Sequence, residues 1–277
     1  MILLSIVIPS FNQGRFIEET LRSIIIQKNP QVEILVIDGG STDNTLDIIH
    51  KYENDIYYWQ SQKDKGQSDA INQGISKARG EFVTWLNSDD VFLGGAISNI
   101  LDAIKENPST DWFLGNLVWM NKQGELIKVG KVEKENRFWN KRYLFSNGGP
   151  SAIMRKSTLL SLGGVRDDFH YMMDTELWFR YLSQGINFKR INAYLWGLRL
   201  HEDAKMSGHN FANSKLADKS HPSWIQKRKE NSFLRNNYPR PAYLQYLWRL
   251  SKIFSYSLIG RLRDKRLLGK HYSTLSF

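Results

Sequence analysis

The sequence predicts an α/β protein: a mostly parallel central sheet with helices on both faces, followed by a C-terminal helical appendage. Two observations carry the main part. Across the first hundred residues, short apolar runs alternate with stretches whose apolar residues recur at helical spacing, the pattern of βαβ units. Several of these runs end in clusters of Gly, Ser, Asn and Asp, where the strands of such sheets present their loops. A third observation predicts the appendage: composition shifts near His221-Pro222, after which basic and aromatic residues dominate.

Taken in order, Ser5 to Pro9 is a first buried strand. The apolar start lacks a basic leader and is too short for a signal peptide or a membrane span. Phe16, Ile17, Leu21, Ile24 and Ile25 follow at helical spacing, and Val32 to Ile37 is the next strand. Ser41 to Asn44 offers caps for a helix through Ile48 and Ile49. Ile56 to Trp59 is strand-like, Ser68 to Ala78 helical, and Glu81 to Leu86 a strand before an amphipathic helix with Ile97, Ile100, Leu101 and Ile104. Beyond it, Trp112 to Met120 and Leu126 to Val132 are strands joined by a turn at Lys122 to Gly124. Pro150 to Met154 is a short strand, Asp174 to Ser183 a helix, and Phe188 to Leu200 one or two strands.

The chain has 277 residues, 41% hydrophobic, enough to bury a substantial core. It has no cysteine, which excludes disulfides and thiolate metal sites and is compatible with a reducing compartment. No run of about 18 apolar residues occurs, so no membrane-spanning helix is expected. The net charge of +10 is uneven: residues 221–277 hold 12 of the 38 basic residues and only 2 of the 28 acidic ones, leaving residues 1–220 neutral. This divides the chain into a body, 1–220, with halves 1–108 and 109–220, and a basic tail, 221–277. The dinucleotide fingerprint and the Walker loop are both absent, which argues against a Rossmann dehydrogenase and a P-loop NTPase.

The stretch Trp85-Leu-Asn-Ser-Asp-Asp90 runs an apolar strand into two adjacent acids. Such a strand end can place one carboxylate on a hard divalent cation that neutralises a diphosphate, and a neighbour on a ribose or sugar hydroxyl. The same acids can instead cap a following helix. Three more blocks stand in order with this one: Pro9-Ser-Phe-Asn12, Ile37-Asp-Gly-Gly-Ser-Thr-Asp43, and Asp64-Lys-Gly-Gln-Ser-Asp-Ala-Ile-Asn-Gln-Gly74. Together they resemble the family 2 glycosyltransferases of GT-A fold, over about residues 4–205.

The resemblance implies a Rossmann-like GT-A domain and a set of roles. Pro9 and Phe11, with Asn12, line the base pocket, and Asp38 accepts a hydrogen bond from uracil or another base imide. Gly39 stands where the family carries a second acid. Gly66, Asp69, Asn72 and Gly74 belong to the loop and helix that close over the donor, with Lys65 near the phosphates. Asn87-Ser88-Asp89 occupies the place of the family's D-x-D: Asp89 coordinates Mn²⁺ or Mg²⁺, Asn87 reaches a ribose hydroxyl, and Asp90 is the next choice of acid. On the residues alone, Asp43 and Asp69 read equally as helix caps, and Gly39, Gly40 and Gly66 as turn residues.

In the second half, "MMDTELWFRY" offers Asp174 and Glu176, of which only one can face a donor. Glu176 lies four before Arg180, a surface ion-pair spacing; Asp174 sits at the helix start as base or cap. The stretch looks like the family's E-D motif, which makes Asp174 the base that takes the acceptor's proton, with Met173 in the glutamate's place. Ser146 to Ser151 looks like the loop before the acceptor-site strand, and Trp178 reads as core or acceptor contact. A histidine at the position of His201 can complete the metal shell in relatives; the bland reading is a hydrogen-bonded histidine.

The tail has three readings. Tyr and Trp mixed with cations suit a helix lying peripherally in a membrane interface. The same helix can pack on the body or on a second copy of the chain, as a homo-oligomer. Aromatics interleaved with arginine can also stack nucleic-acid bases, but no DNA- or RNA-binding motif accompanies them.

The expectation is a metal-dependent inverting glycosyltransferase that moves a sugar from a nucleotide-diphospho-sugar, UDP-linked, to a glycan or lipid-linked glycan in polysaccharide biosynthesis. Its expected place is the cytoplasm, at the inner face of the cell membrane where the tail binds lipid. The alternatives are a non-catalytic nucleotide-sugar-binding protein, with Asn87 and Met173 as signs of decay, and a nucleic-acid-binding protein acting through the tail.

Overall fold

The structure is a computed structural model. It describes residues 1–144, 152–205, 222–255 and 267–274, and for 222–224 and 249–255 the backbone alone. The expected strand at Pro150 to Met154 is described from Ala152; the Ser146 to Ser151 loop and part of the basic tail lie outside the described residues.

Strands β1 (Leu4–Ser10), β2 (Val32–Asp38), β3 (Tyr58–Ser61) and β4 (Phe82–Trp85) pair in parallel in the order β3-β2-β1-β4. Helices α1 (Ile17–Ile25), α2 (Thr45–Lys51) and α3 (Gln67–Lys77) make the crossovers. Every residue of β1 is buried, as a strand covered on both faces must be. Its alternating side chains sort the layers. Ile6 and Ile8 join Leu21 of α1, Ile49 of α2 and Ile100 of the next helix in one apolar cluster. Val7 joins Ala70, Ile71 and Ile75 of α3 in a second cluster on the other face. Helix α3 sits so close to β1 that a Cβ on Gly74 would fall 2.3 Å from Val7 Cγ1. Gly74 is therefore a packing residue.

The chain then leaves the regular alternation. Strand β5 (Val91–Phe92), too short to signal itself in the sequence, precedes α4 (Ala96–Glu106). Strands β6 (Trp112–Met120) and β7 (Leu126–Gly130) form the expected hairpin. Helix α5 (Arg137–Asn140), strand β8 (Ala152–Arg155), helix α6 (Lys156–Ser161), helix α7 (Met173–Ser183) and strand β9 (Lys189–Arg199) complete the body. The full order is β3-β2-β1-β4-β8-β6-β9-β5, with β7 beside β6. β6 and β9 run parallel, whereas β8 is antiparallel to both β4 and β6, and β5 to β9. The parallel sheet expected from the sequence thus describes the first half, and the second half is mixed. Connections there are long enough to return a strand in either direction, which an apolar pattern does not record.

Helices α8 (Pro222–Asn237) and α9 (Ala242–Ser255) form the tail. The boundary expected at residue 221 does not separate two packing units. Leu234 of α8 is fully buried in the α3–α7 core. Phe233 meets Phe169 with ring centroids 5.3 Å apart, and Tyr238 meets Phe179 at 5.4 Å. By contrast, α9 leaves Tyr243, Tyr246 and Leu247 exposed. The chain then returns to the body: Leu126 and Gly124 exchange backbone hydrogen bonds with residues 269–272.

Candidate active site

A cleft of about 790 Å³ opens where the carboxyl ends of β1, β2 and β4 meet the head of α7. This is where ligands bind in parallel α/β sheets, outside the carboxyl edge. Pro9, Gly66, Asn87, Ser88, Asp89 and Asp174 all line it, and Phe11, 59% exposed, stands at its rim. The structure therefore gathers four separate segments of predicted site residues into one space.

Not every predicted residue reaches it. Asp38 is completely buried and its carboxylate is spent on the protein. Oδ2 accepts from the Gly40 and Ser41 amides and the Ser61 hydroxyl (3.1, 2.8 and 2.6 Å), and Oδ1 accepts from the Ser41 hydroxyl at 2.5 Å. It holds the Gly39–Ser41 turn that forms the cleft wall, in place of the base contact expected of it. A second carboxylate at that wall, Asp64, lines the cleft, and its oxygens lie 3.0–3.2 Å from where a Cβ on Gly39 would sit. Burial raises the Asp64 carboxyl pKa; the Gly66 amide opposes this, and Asp69 and Asp38 add to it. Asn12, at φ 51°, accepts from the Thr42 amide (2.8 Å) and ties the β1 loop to the β2 loop.

The same correction applies along α3. Asp69 accepts from the Lys65 amide (3.1 Å) and from Gln73 (3.0 Å), so it braces the loop entering α3. Asn72 pairs with both backbone groups of Val165, at 2.7 and 2.9 Å, and ties α3 to the segment before α7. Lys65 is exposed, and Gly66 lines the cleft at φ 111°, where a side chain would be strained. Asp43, as read from the sequence, caps α2. Burial would raise its pKa, but the Thr45 hydroxyl and the Gly14 and Thr45 amides outweigh this and hold the carboxyl below its ordinary value.

Residues 87–90 form a turn from β4 into β5, closed by the Asp90 amide donating to Asn87 O at 3.0 Å. No helix starts here, since α4 begins at Ala96, so the capping reading of these acids fails. The two acids point to different tasks. Asp90 is buried, accepts from the Arg199 amide (2.9 Å) and from Asn87 Nδ2 (2.9 Å), and serves the turn and not the ligand. Burial, and then the Asp89 charge, push its carboxyl well above the usual range. Asp89 faces the cleft and meets His201 Nε2 through Oδ2 at 3.0 Å. Arg199, a residue the sequence reading passed over, donates to Asp89 O (3.0 Å) and Lys122 O (2.9 Å) and pairs with Glu19 (2.5 Å). It locks β9 to the turn and so sets His201 beside Asp89.

Asp89 and His201 suit Mn²⁺ or Mg²⁺ as a pair. A carboxylate oxygen and an imidazole nitrogen are hard and borderline donors, and two protein ligands leave positions for phosphate oxygens and water. Among the described residues no group of three or more such side chains forms a closed cage. His201 is also left with a buried Nδ1 that has no hydrogen-bond partner among them.

At the other side, Asp174 is the second residue of α7 and lines the cleft. Burial raises its pKa against the hydrogen bonds from Thr175, the direction a proton acceptor needs. Glu176 does not share this space. It is 1% exposed and paired with Arg180 at 2.7 Å, which also binds the carbonyls of Leu162 and Gly164. The catalytic option for Glu176 is thus excluded, and its ion pair is buried, not the surface pair expected. Trp178 is core, stacked between Trp85 and Trp112 at 5.9 and 5.4 Å. Lys205 lines the cleft, donates to Gln67 Oε1 at 2.8 Å, and is held down to about 8 by burial, against the pull of Glu230 and Asp174. Gln67 in turn donates to Asn87 Oδ1 at 2.6 Å. Asp64, Gln67 and Lys205 line the cleft without having been given a role from the sequence: the first two lie inside the quoted Asp64–Gly74 block, and Lys205 lies four residues after His201.

Residues 5–159 match the family model described as glycosyl transferase family 2. The chain belongs to glycosyl transferase family 2. Among curated relatives of this glycosyltransferase, the GalNAc(5)-diNAcBac-PP-undecaprenol β-1,3-glucosyltransferase of Campylobacter jejuni is 32% identical over 183 residues, 63% of this chain and 58% of that enzyme. The poly-β-1,6-N-acetyl-D-glucosamine synthase of Staphylococcus epidermidis is 30% identical over 132 residues, 47% of this chain and 32% of the synthase. The chain thus spans 32–58% of the length of these relatives. Among solved structures, S. aureus TarS 1-349 in complex with UDP-GlcNAc superposes with a TM-score of 0.60 at 21% identity, over 74% of this chain and 61% of that one. That likeness establishes the GT-A fold.

Proposed function

We propose that this family 2 glycosyltransferase is metal-dependent and inverting, and that it moves a sugar from a UDP-sugar to a glycan or lipid-linked glycan in polysaccharide biosynthesis. The observation that carries the reading is the convergence of Asp89 and Asp174 on one cleft, with the buried His201 behind Asp89 at 3.0 Å. The donor and acceptor classes draw support from the names of the Campylobacter and Staphylococcus relatives and from the UDP-GlcNAc complex of TarS.

Asp89 and His201 would hold the Mn²⁺ or Mg²⁺, which neutralises the leaving diphosphate when bound. Lys205, cationic below about pH 8, adds a second positive charge at the cleft. Pro9 and Phe11 offer an apolar edge to the base, and Asp64 a carboxylate beside the Gly39 turn. Asp174 takes the proton of the acceptor hydroxyl as its oxygen bonds to the anomeric carbon. The bond from that carbon to the phosphate oxygen breaks, UDP departs with the electron pair, and the configuration inverts.

Replacing Asp174 by Asn should lower transfer by about 10²–10⁴-fold, the usual worth of a general base, with UDP affinity unchanged. Replacing Asp89 by Ala should weaken UDP binding in Mn²⁺ and leave Mn²⁺-free binding as it was. Isothermal titration with UDP and assays of UDP release across a panel of UDP-sugars measure both. Wild-type turnover in D174N ends the base assignment, and equal Mn²⁺ dependence in D89A ends the metal assignment.

Peripheral membrane association belongs to the same proposal. Its support is the face of α9 that leaves Tyr243, Tyr246 and Leu247 in solvent, on a tail rich in cations. Exchanging these three for serine should abolish co-sedimentation with anionic liposomes and leave activity on soluble acceptors intact. Unchanged co-sedimentation removes α9 as the contact.

A further inference from the structure

The segment entering α7 carries cleft residues, yet residues 166–172 have no helix or strand of their own. What holds the end of this segment comes from the tail. Glu230 of α8 is 3% exposed and turns its carboxylate into a cradle of three consecutive amides: Oε1 accepts from His170 N at 2.7 Å, and Oε2 from Tyr171 N at 3.0 Å and Met172 N at 2.9 Å. Gln226, one turn earlier on α8, donates to Glu230 Oε1 (2.8 Å) and to Asp168 O (3.2 Å). Phe233 packs against Phe169, and Arg166 lies over the Phe233 ring at 4.7 Å.

A carboxylate taken out of water is destabilising unless hydrogen bonds replace its hydration. Here every recorded bond goes to the backbone just ahead of Asp174 or to Gln226, and not to a partner charge that an apolar pair could replace. His170 and Tyr171, whose amides are held, line the cleft themselves, as do Met173 and Asp174 directly after them. Three amides that converge on one anion fix the peptide planes of 170–172, and with them the direction in which α7 sets out.

We propose that Glu230 is a positioning residue for sugar transfer: by clamping the amides of His170, Tyr171 and Met172 it sets the head of α7, and so the Asp174 carboxylate, at the reacting end of the cleft. The inference rests on the reading of Asp174 as the base. It gives the tail a role inside the reaction that neither membrane contact nor charge requires. Geometry sets the size of the effect. A displacement of about 1 Å at a reacting group can lower a rate about 10²-fold.

The test compares E230Q, D174N and the double variant in the full chain. The glutamine keeps the shape and a carbonyl oxygen, but its amide nitrogen cannot accept from a backbone N–H. Three measurements apply: UDP affinity in Mn²⁺ at about pH 6, where Lys205 stays protonated with or without the Glu230 charge that supports it, the turnover of the UDP-sugar that the wild type consumes, and hydrogen exchange at residues 170–172. The expected result is UDP affinity within about twofold of wild type, turnover down about tenfold or more, and faster exchange at those amides. The double variant should be no slower than D174N alone, because a residue acting through Asp174 has nothing further to lose once it is gone. Wild-type turnover in E230Q, a parallel loss of UDP affinity, or a further loss in the double variant overturns the proposal. Wild-type turnover in D174N sinks the base reading itself, whereas an inactive D174N beside a fully active E230Q leaves the base in place and rejects only the clamp.

Discussion

Two titrations frame the chemistry at the level of single side chains. As the proposed base, Asp174 must be deprotonated to accept a proton, and burial has moved its pKa upward. Activity should therefore rise with pH through a value above the ordinary aspartate range. Lys205 must be protonated to attract a diphosphate, and burial has moved its pKa down to about 8. Donor affinity should fall as pH climbs past that point. The product is a bell: kcat limited on the acid side by Asp174, and donor KM worsening on the alkaline side through Lys205. In K205R the alkaline loss should move beyond the range where the wild type fails, because guanidinium stays charged. A K205R profile that superimposes on the wild type removes Lys205 from donor binding. The same scale explains which residues were legible. Asp89 and Asp174, which the family blocks mark, both line the cleft. Asp38, Asn72 and Asp90 were read as donor contacts because an acid or amide that ties loops together has the same sequence appearance as one that binds a ligand, whereas Asp69 carried a capping reading and Glu176 its pairing with Arg180 beside the functional ones. Only the partner distinguishes them: Val165 for Asn72, Arg199 for Asp90, Arg180 for Glu176.

At the level of elements, the regular helices of the first half followed from apolar spacing, and β1 to β4 were located to within a few residues. The strand β5 was invisible because two residues make no period. For helix α8 the sequence left open whether the tail packs on the body or lies in a membrane interface. Its charge dominated its composition, while Leu234, Phe233 and Tyr238, the residues that decide its packing, are few. Removing a buried Leu or Phe side chain costs about 2–5 kcal/mol, and a domain of this kind is stable by only about 5–15 kcal/mol. Deleting residues 221–277 removes those three side chains and the Glu230 clamp together. A chain ending at residue 220 should therefore lose its cooperative thermal transition and the near-ultraviolet circular dichroism of its buried indoles. If it melts cooperatively near the full-length temperature, α8 contributes no packing to the body.

For the molecule as a whole, the sequence conveyed class and family but not the change in sheet direction after β4. The family match runs to residue 159, whereas Asp174, His201 and Lys205 all follow it. The first half obeys a general rule of parallel crossovers, so local pattern suffices. The second half is set by long-range pairings such as β6 with β9, and by α8 reaching back sixty residues to α7. That reach has a consequence in time. During synthesis the four parallel strands and their crossovers can close as they emerge, but Phe169 and Phe179 must wait for Phe233 and Tyr238. At about 5–20 residues per second the wait is roughly 3–13 seconds. For that interval the nascent chain carries a greasy, unfinished face, and a ribosome-bound chaperone would find its client there.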